Sequence, residues 1–317
     1  MKTAFVVIAV VLLSACSSTA SQDRIFSITA EELARLRLAY YSDYFSFVGW
    51  DEKGAVAFAI DTNRGQDGDS WQAEHFVVLY DQQSGWRSLQ GNGAYDNASR
   101  RLERIPDSAY FSFSGDQASG MTVSSAANQL QLKTTPINTV IATAAGLSRY
   151  RLGVAAATLE WQGRRLEGRV IHEYLYLPAF NRLTRRYADV FDDFHGIYAV
   201  IDKRGDFYFH SQDSDFLAEL TGHEEGFVVF NGEVTPLLGF KGGVTRRQQA
   251  LGFYRWPSAW AGAFQAAGTD YNFVLTLSHR NNIANWVIGG FAMGIVTGEL
   301  QAGKRRIPLF GLGELII

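Results

Sequence analysis

One stretch of the chain, Gly168 to His195, gathers histidine, carboxylates and tyrosine inside apolar sequence. It opens Gly-Arg-Val-Ile-His-Glu-Tyr-Leu-Tyr-Leu-Pro, passes a basic connector, and reaches Phe-Asp-Asp-Phe-His-Gly. The first run reads as a strand, and side chains alternate faces along a strand. His172, Tyr174 and Tyr176 therefore share one face, while Glu173 shares the other with Ile171, Leu175 and Leu177. An imidazole titrates near neutral pH, and a carboxylate can be tuned to do so. His172, Glu173 and Asp193 are thus the candidate acid–base groups. Tyr174, Tyr176 and His195 are candidates for lining a ligand site. The plainer alternative is a set of polar residues on the solvated face of a half-buried sheet.

Other groupings carry less chemistry. Asn63-Arg-Gly-Gln-Asp67-Gly-Asp69, with Glu74 beyond, has the oxygen-rich rhythm of a calcium loop. Gly65 stands where a ligand is needed and the flanks read as strands, so a polar hairpin is the better reading. Trp50, Trp71, His75 and Tyr80 are aromatic strand residues, read as core or, for Trp50 and Trp71, as cavity lining. The clusters Arg182/Arg185/Arg186, Arg246/Arg247 and Lys304/Arg305/Arg306 read as solvated turns, with anionic headgroups a second option. Six His and a single Cys give no zinc spacing, and there is no nucleophile elbow, P-loop or dinucleotide fingerprint. No metal and no cofactor are expected.

The elements that must position these groups begin after a leader. Met1-Lys2 is positive, Ala4–Leu13 is apolar but too short to span a bilayer as a helix, and Leu13-Ser-Ala-Cys16 follows. That ending resembles the bacterial lipobox. The resemblance implies removal of residues 1–15, lipid on Cys16 and a tether over 16–26. With Ser17 and Ser18 after the Cys, it also implies anchoring to the outer membrane, facing the periplasm. Cys16 is the only Cys, so stability must come from burial rather than disulfides; 47% hydrophobic and 14% aromatic residues permit that. A net charge of −3 without a basic face argues against a nucleic-acid partner.

Ile28 to Tyr41 reads as a short helix with a Thr29/Glu32 capping box. Beyond it, short apolar runs recur between Gly, Asn, Asp and Ser, the pattern of antiparallel barrels rather than of alternating strands and helices. Pro136–Gly146 fits strand or helix. Asp202-Lys-Arg-Gly205-Asp reads as a hairpin turn, with Gly205 suited to positive φ. The expected fold is all-β, with two packed antiparallel calycin-like barrels over residues 27–150 and 151–317, joined near 145–160.

Three segments resemble the family of carotenoid 1,2-hydratases, hydroxyneurosporene synthase-like and AttH-like proteins. Gly168-Arg-Val-Ile-His172-Glu173-Tyr174-Leu-Tyr176 is similar to its Gly-x-x-Tyr-x-Asp-His-x-Trp strand. Phe194–Gly205 resembles its strand and hairpin, and Ile307-Pro-Leu-Phe-Gly311-Leu-Gly313-Glu314 its closing strand. In one register Glu173, Tyr174 and Tyr176 stand for the family's Asp, His and Trp. Shifted by two, His172 and Tyr174 stand for the His and Trp. The resemblance implies two lipocalin-like barrels. The first functional expectation is an outer-membrane lipoprotein holding a hydrophobic small molecule, lipid or isoprenoid-like, in a barrel cavity. The alternatives are a hydratase or isomerase on such a molecule, and a structural envelope lipoprotein.

Overall fold

The computed structural model describes residues 38–67, 70–92, 94–97, 109–145, 148–178, 194–211, 226–249, 255–286 and 289–316. Every regular element among them is a strand. The first sheet holds β1 (Leu38–Asp51), β2 (Gly54–Asp67), β3 (Ser70–Asp81), β4 (Gly85–Arg87), β5 (Ala94–Asn97) and β6 (Ser112–Asp116), followed by β7 (Gly120–Ser125), β8 (Leu130–Thr134), β9 (Asn138–Ala145), β10 (Ser148–Trp161) and β11 (Arg164–Pro178). The second holds β12 (Phe194–Ile201), β13 (Gly205–Ser211), β14 (Gly226–Phe230), β15 (Glu233–Pro236), β16 (Leu238–Gln249), β17 (Arg255–Ala266), β18 (Thr269–Trp286), β19 (Gly289–Ala302) and β20 (Arg305–Ile316).

Both sheets are antiparallel and curl into half-barrels with one topology. The orders are β4-β3-β2-β1-β11-β10-β8-β7-β6 and β15-β14-β13-β12-β20-β19-β18-β17-β16, so in each the first strand pairs with the last. The expected joint near residues 145–160 needs correction. β10 runs through it, bonded to β8 and β9 on one side and β11 on the other. The chain changes sheet between Pro178 and Phe194, so Gly168–Pro178 closes the first barrel instead of opening the second. The short strands read from the sequence could not reveal this, because sheet membership is set by long-range pairing.

Alternation sorts the side chains. In the first sheet Phe45, Phe47, Val56, Phe58, Ile60, Leu159 and Val170 fill one interior. In the second, Ile197, Phe207, Phe209, Trp260, Phe273 and Leu309 fill another. The opposite faces of β1, β2, β10, β11, β12, β13, β19 and β20 form a third apolar cluster shared by both sheets, with Val48, Ala57, Leu152, Ile171, Val200, Met293 and Leu312. These walls are buried on both sides, which explains why residues 43–49, 195–201 and 311–316 are buried without a break. β16, at the far edge of the second sheet, is mostly exposed.

Three local expectations meet the structure differently. Leu38–Tyr41, read as a helix end, belongs to β1; the rest of that helix lies outside the described residues. Within the Pro136–Gly146 segment, Asn138–Ala145 is strand β9. In the Asp202–Asp206 hairpin, positive φ falls on Asp202 and Lys203 and not on Gly205. Gly205 is needed for close approach instead, since a Cβ there would strike the Val229 carbonyl.

Candidate functional site

The junction between the two half-barrels holds a cluster of phenols and carboxylates. Tyr44 on β1, Tyr150 on β10 and Glu173 on β11 come from the first sheet. Tyr198 on β12, Tyr208 on β13 and Glu314 on β20 come from the second. Each lies on the face its strand turns toward the other sheet. The Tyr198 hydroxyl donates to Glu173 Oε2 at 2.8 Å and lies 3.3 Å from Glu314 Oε2. Tyr150 and Tyr208 hydroxyls approach to 3.4 Å. The rings form a row across the junction: Tyr44 and Tyr198 centroids are 4.9 Å apart, Tyr198 and Tyr208 5.2 Å, Tyr208 and Phe227 5.5 Å.

Burial sets the electrostatics. Desolvation pushes the Glu173 carboxyl up from 4.5 to about 7, with the nearby Asp61 charge adding to the rise and the bonds from Tyr198 and Tyr150 opposing it. Burial also raises Tyr44, Tyr150, Tyr198 and Tyr208 well above the usual phenol value, so these hydroxyls stay protonated. Asp61 accepts from Ser42 Oγ at 2.7 Å and Asn63 Nδ2 at 2.9 Å. A carboxyl poised near neutrality beside a phenol that touches a second carboxyl has the parts that a proton relay needs. Glu173 can donate to a developing carbanion or carbocation precursor, and Tyr198 can pass a proton to or from Glu314.

Four residues back along β11, Arg169 reaches Asp206 near the start of β13 and joins the two sheets a second time. Arg169 Nε lies 2.7 Å from Asp206 Oδ1, and Arg169 Nη2 also bonds Oδ2. Asp206 is fully buried, and desolvation lifts it to about 6 against the pull of the guanidinium.

The other face of β11 leads into the first barrel. His172 is fully buried there, with Nε2 2.9 Å from Asp43 Oδ1 and Nδ1 3.3 Å from Gln117 Nε2. Its ring packs on Phe45 at 4.4 Å. Arg151 stands near Asp43 and Tyr174, and burial lowers its guanidinium to about 10. Thus His172 and Glu173, neighbours in sequence, serve separate polar groups on opposite sides of one sheet.

The remaining candidates divide in the same way. Tyr174 and Tyr176 lie on the His172 face, and Tyr176 is buried. His195 is buried in the second barrel, 6.1 Å from the Trp260 ring. Trp50 sits at the junction rim, 6.2 Å from Phe310. Trp71 pairs with Gln66 in the β2–β3 ladder, and its side chain lies outside the described residues, as do Asp193 and Cys16. β2 and β3 remain paired to Asp67 and Ser70, in keeping with the hairpin reading of the Asn63–Glu74 segment. His75 faces the first interior, 3.1 Å from Thr62 Oγ1, and Tyr80 faces the junction. Arg246 and Arg247 belong to β16 rather than a loop, and Arg305 and Arg306 start β20. Tyr44, Tyr150, Tyr198, Tyr208 and Glu314 were missed as site residues because each reads singly as a strand residue; only the pairing of two sheets assembles them.

No known family's sequence profile matches the chain, and no curated protein matches it. Solved structures do. A protein assigned as an AttH from Nitrosomonas europaea superposes with a TM-score of 0.56 at 11% identity, covering 92% of this chain and 94% of that one. Kievitone hydratase from Nectria haematococca gives 0.43 at 12%, covering 89% of each, and CghA gives 0.43 at 12%, covering 88% of each. At such identities the likeness concerns architecture, and the chain shares with the AttH protein the fold of two calycin-like β-domains packed together.

Proposed function

We propose that this chain is an acid–base enzyme of hydratase or isomerase type, acting on an apolar molecule at the junction of its two half-barrels. The observation that carries the reading is Glu173: a buried carboxyl held near pH 7, bonded at 2.8 Å to a phenol that also reaches Glu314. Surrounding apolar residues such as Ile171, Leu175, Phe291 and Ile316 suit a hydrocarbon-rich substrate. Protonation of a double bond by Glu173, with Glu314 and Tyr198 managing the second proton, would serve addition of water or migration of the bond. On this reading Cys16 carries lipid and tethers the enzyme to the outer membrane on its periplasmic side, where apolar substrates are at hand.

A second reading keeps an apolar ligand inside a barrel, where Phe45, Phe47 and Phe58 line the first interior and Phe207, Phe209 and Trp260 the second. The experiment is incubation with the apolar extract of the host envelope in water labelled with oxygen-18 or deuterium, followed by mass spectrometry. A hydratase product gains labelled water, an isomerase product gains deuterium alone, and Glu173→Gln abolishes both. A molecule recovered bound and unlabelled from both proteins would instead establish carriage.

A further inference from the structure

We propose that a groove at the rim of the junction, on the first half-barrel and without Glu173, Tyr198 or Glu314 in its lining, is a binding site for a small organic anion. The groove has a volume of about 640 Å³. Its floor follows from strand register. Lys133, Thr158, Glu167 and Trp50 stand opposite one another across β8, β10, β11 and β1, all on the outer face. Beside them run Ala156 and Arg169, with Thr134 and Thr135 at the end of β8. Ala156 keeps the centre low. The β12–β13 turn of the second sheet supplies the remaining wall, with Lys203 Nζ 5.4 Å from the Trp50 ring centre.

The charges in this groove do not cancel. Glu167 is engaged by Arg165 Nε at 2.8 Å and Thr158 Oγ1 at 3.0 Å. Arg169 is turned across the junction to Asp206. Lys133 and Lys203 are left without a carboxylate partner among the described residues, on a chain whose net charge is negative. Two ammonium groups over a floor of small residues beside an indole suit a phosphate or carboxylate attached to a flat or short apolar body. A neutral hydrocarbon would leave both ammonium groups without a counter-charge.

The test is calorimetric titration of the full chain with 2-naphthyl phosphate, 2-naphthol and inorganic phosphate. Lys133 and Lys203 are exposed, so Lys133→Gln and Lys203→Gln leave folding intact, and Lys241→Gln on the exposed β16 is the control. The phosphate ester should bind saturably, and 2-naphthol and inorganic phosphate each about tenfold more weakly or worse. Each groove variant should lose about tenfold in affinity, with the control unchanged. Equal binding of ester and naphthol, equal loss in Lys241→Gln, or no saturable binding would overturn the proposal. Because Glu173 is not in the groove, Glu173→Gln should bind the ester like the parent.

Discussion

Tyr198 on the first strand of the second sheet donates its hydroxyl proton to Glu173 on the last strand of the first, at 2.8 Å. This bond crosses between two half-barrels that each could fill an interior without the other. It places a titrating carboxyl where water is excluded on both sides, and the raised pKa follows from that burial.

Stability should therefore depend on pH through Glu173. Its folded value is raised, so between about 4.5 and 7 the folded chain holds a proton that the unfolded chain has released. Stability from this group is present below that window and is lost as pH rises through it. Glu173→Gln lacks this dependence. Denaturant unfolding at pH 4 and pH 8 should show the variant gaining on the parent by about 1–3 kcal/mol at the higher pH. Parallel curves would mean that Glu173 titrates in the ordinary carboxylate range.

His172→Ala should behave as a core variant. Removing the ring leaves Asp43 in a buried setting without its 2.9 Å partner and opens space beside Phe45. A loss of about 3 kcal/mol in chemical unfolding is expected. Combining it with Asp43→Asn should cost less than the sum of the two single changes. Additive losses would place the two side chains apart.

How these two neighbours came to have different roles was partly legible in the sequence. Alternation along Gly168–Pro178 separates His172 from Glu173, and the structure keeps that separation. The all-β character, the hairpins and the doubled architecture could be read from short apolar runs and turn residues. The sheet to which β10 and β11 belong could not, because nothing local distinguishes a closing strand from an opening one. The junction tyrosines were hidden for a related reason. Tyr44 and Tyr198 are far apart in the chain, and each has the same apolar neighbours as any core strand residue. The near-continuous apolar runs Tyr44–Val48 and Ile197–Ile201 were the available clue, since a strand with one solvated face would alternate more cleanly.

Arg169→Met should weaken the junction in a pH-dependent manner. Asp206, already lifted to about 6, would lose the guanidinium that opposes its desolvation and rise further. The variant should unfold nearly like the parent near pH 4, where Asp206 holds its proton, and lose about 3 kcal/mol near pH 8. Adding Asp206→Asn should recover part of the loss at pH 8 and little at pH 4. A pH-independent loss would contradict a buried charge.

Gly168→Ala should destabilise the β1–β11 seam by about 1–3 kcal/mol. Gly168 pairs with Gly49, and a Cβ there would collide with the Val48 carbonyl. Gly163→Ala is the comparison: its Cβ would meet nothing, and the cost there is only that of a φ of 77°. Thermal unfolding of the two variants separates contact from backbone strain, and a Gly168→Ala shift no larger than that of Gly163→Ala would contradict the collision with Val48.

The proposed function requires Glu173 to be a proton donor near neutral pH. Infrared difference spectroscopy of the parent against Glu173→Gln reads the protonated carboxyl band of this residue directly. The band should be present at pH 5, fall with a midpoint near 7 and be absent at pH 9. A midpoint at the ordinary glutamate value would contradict the account and leave the junction as packing alone.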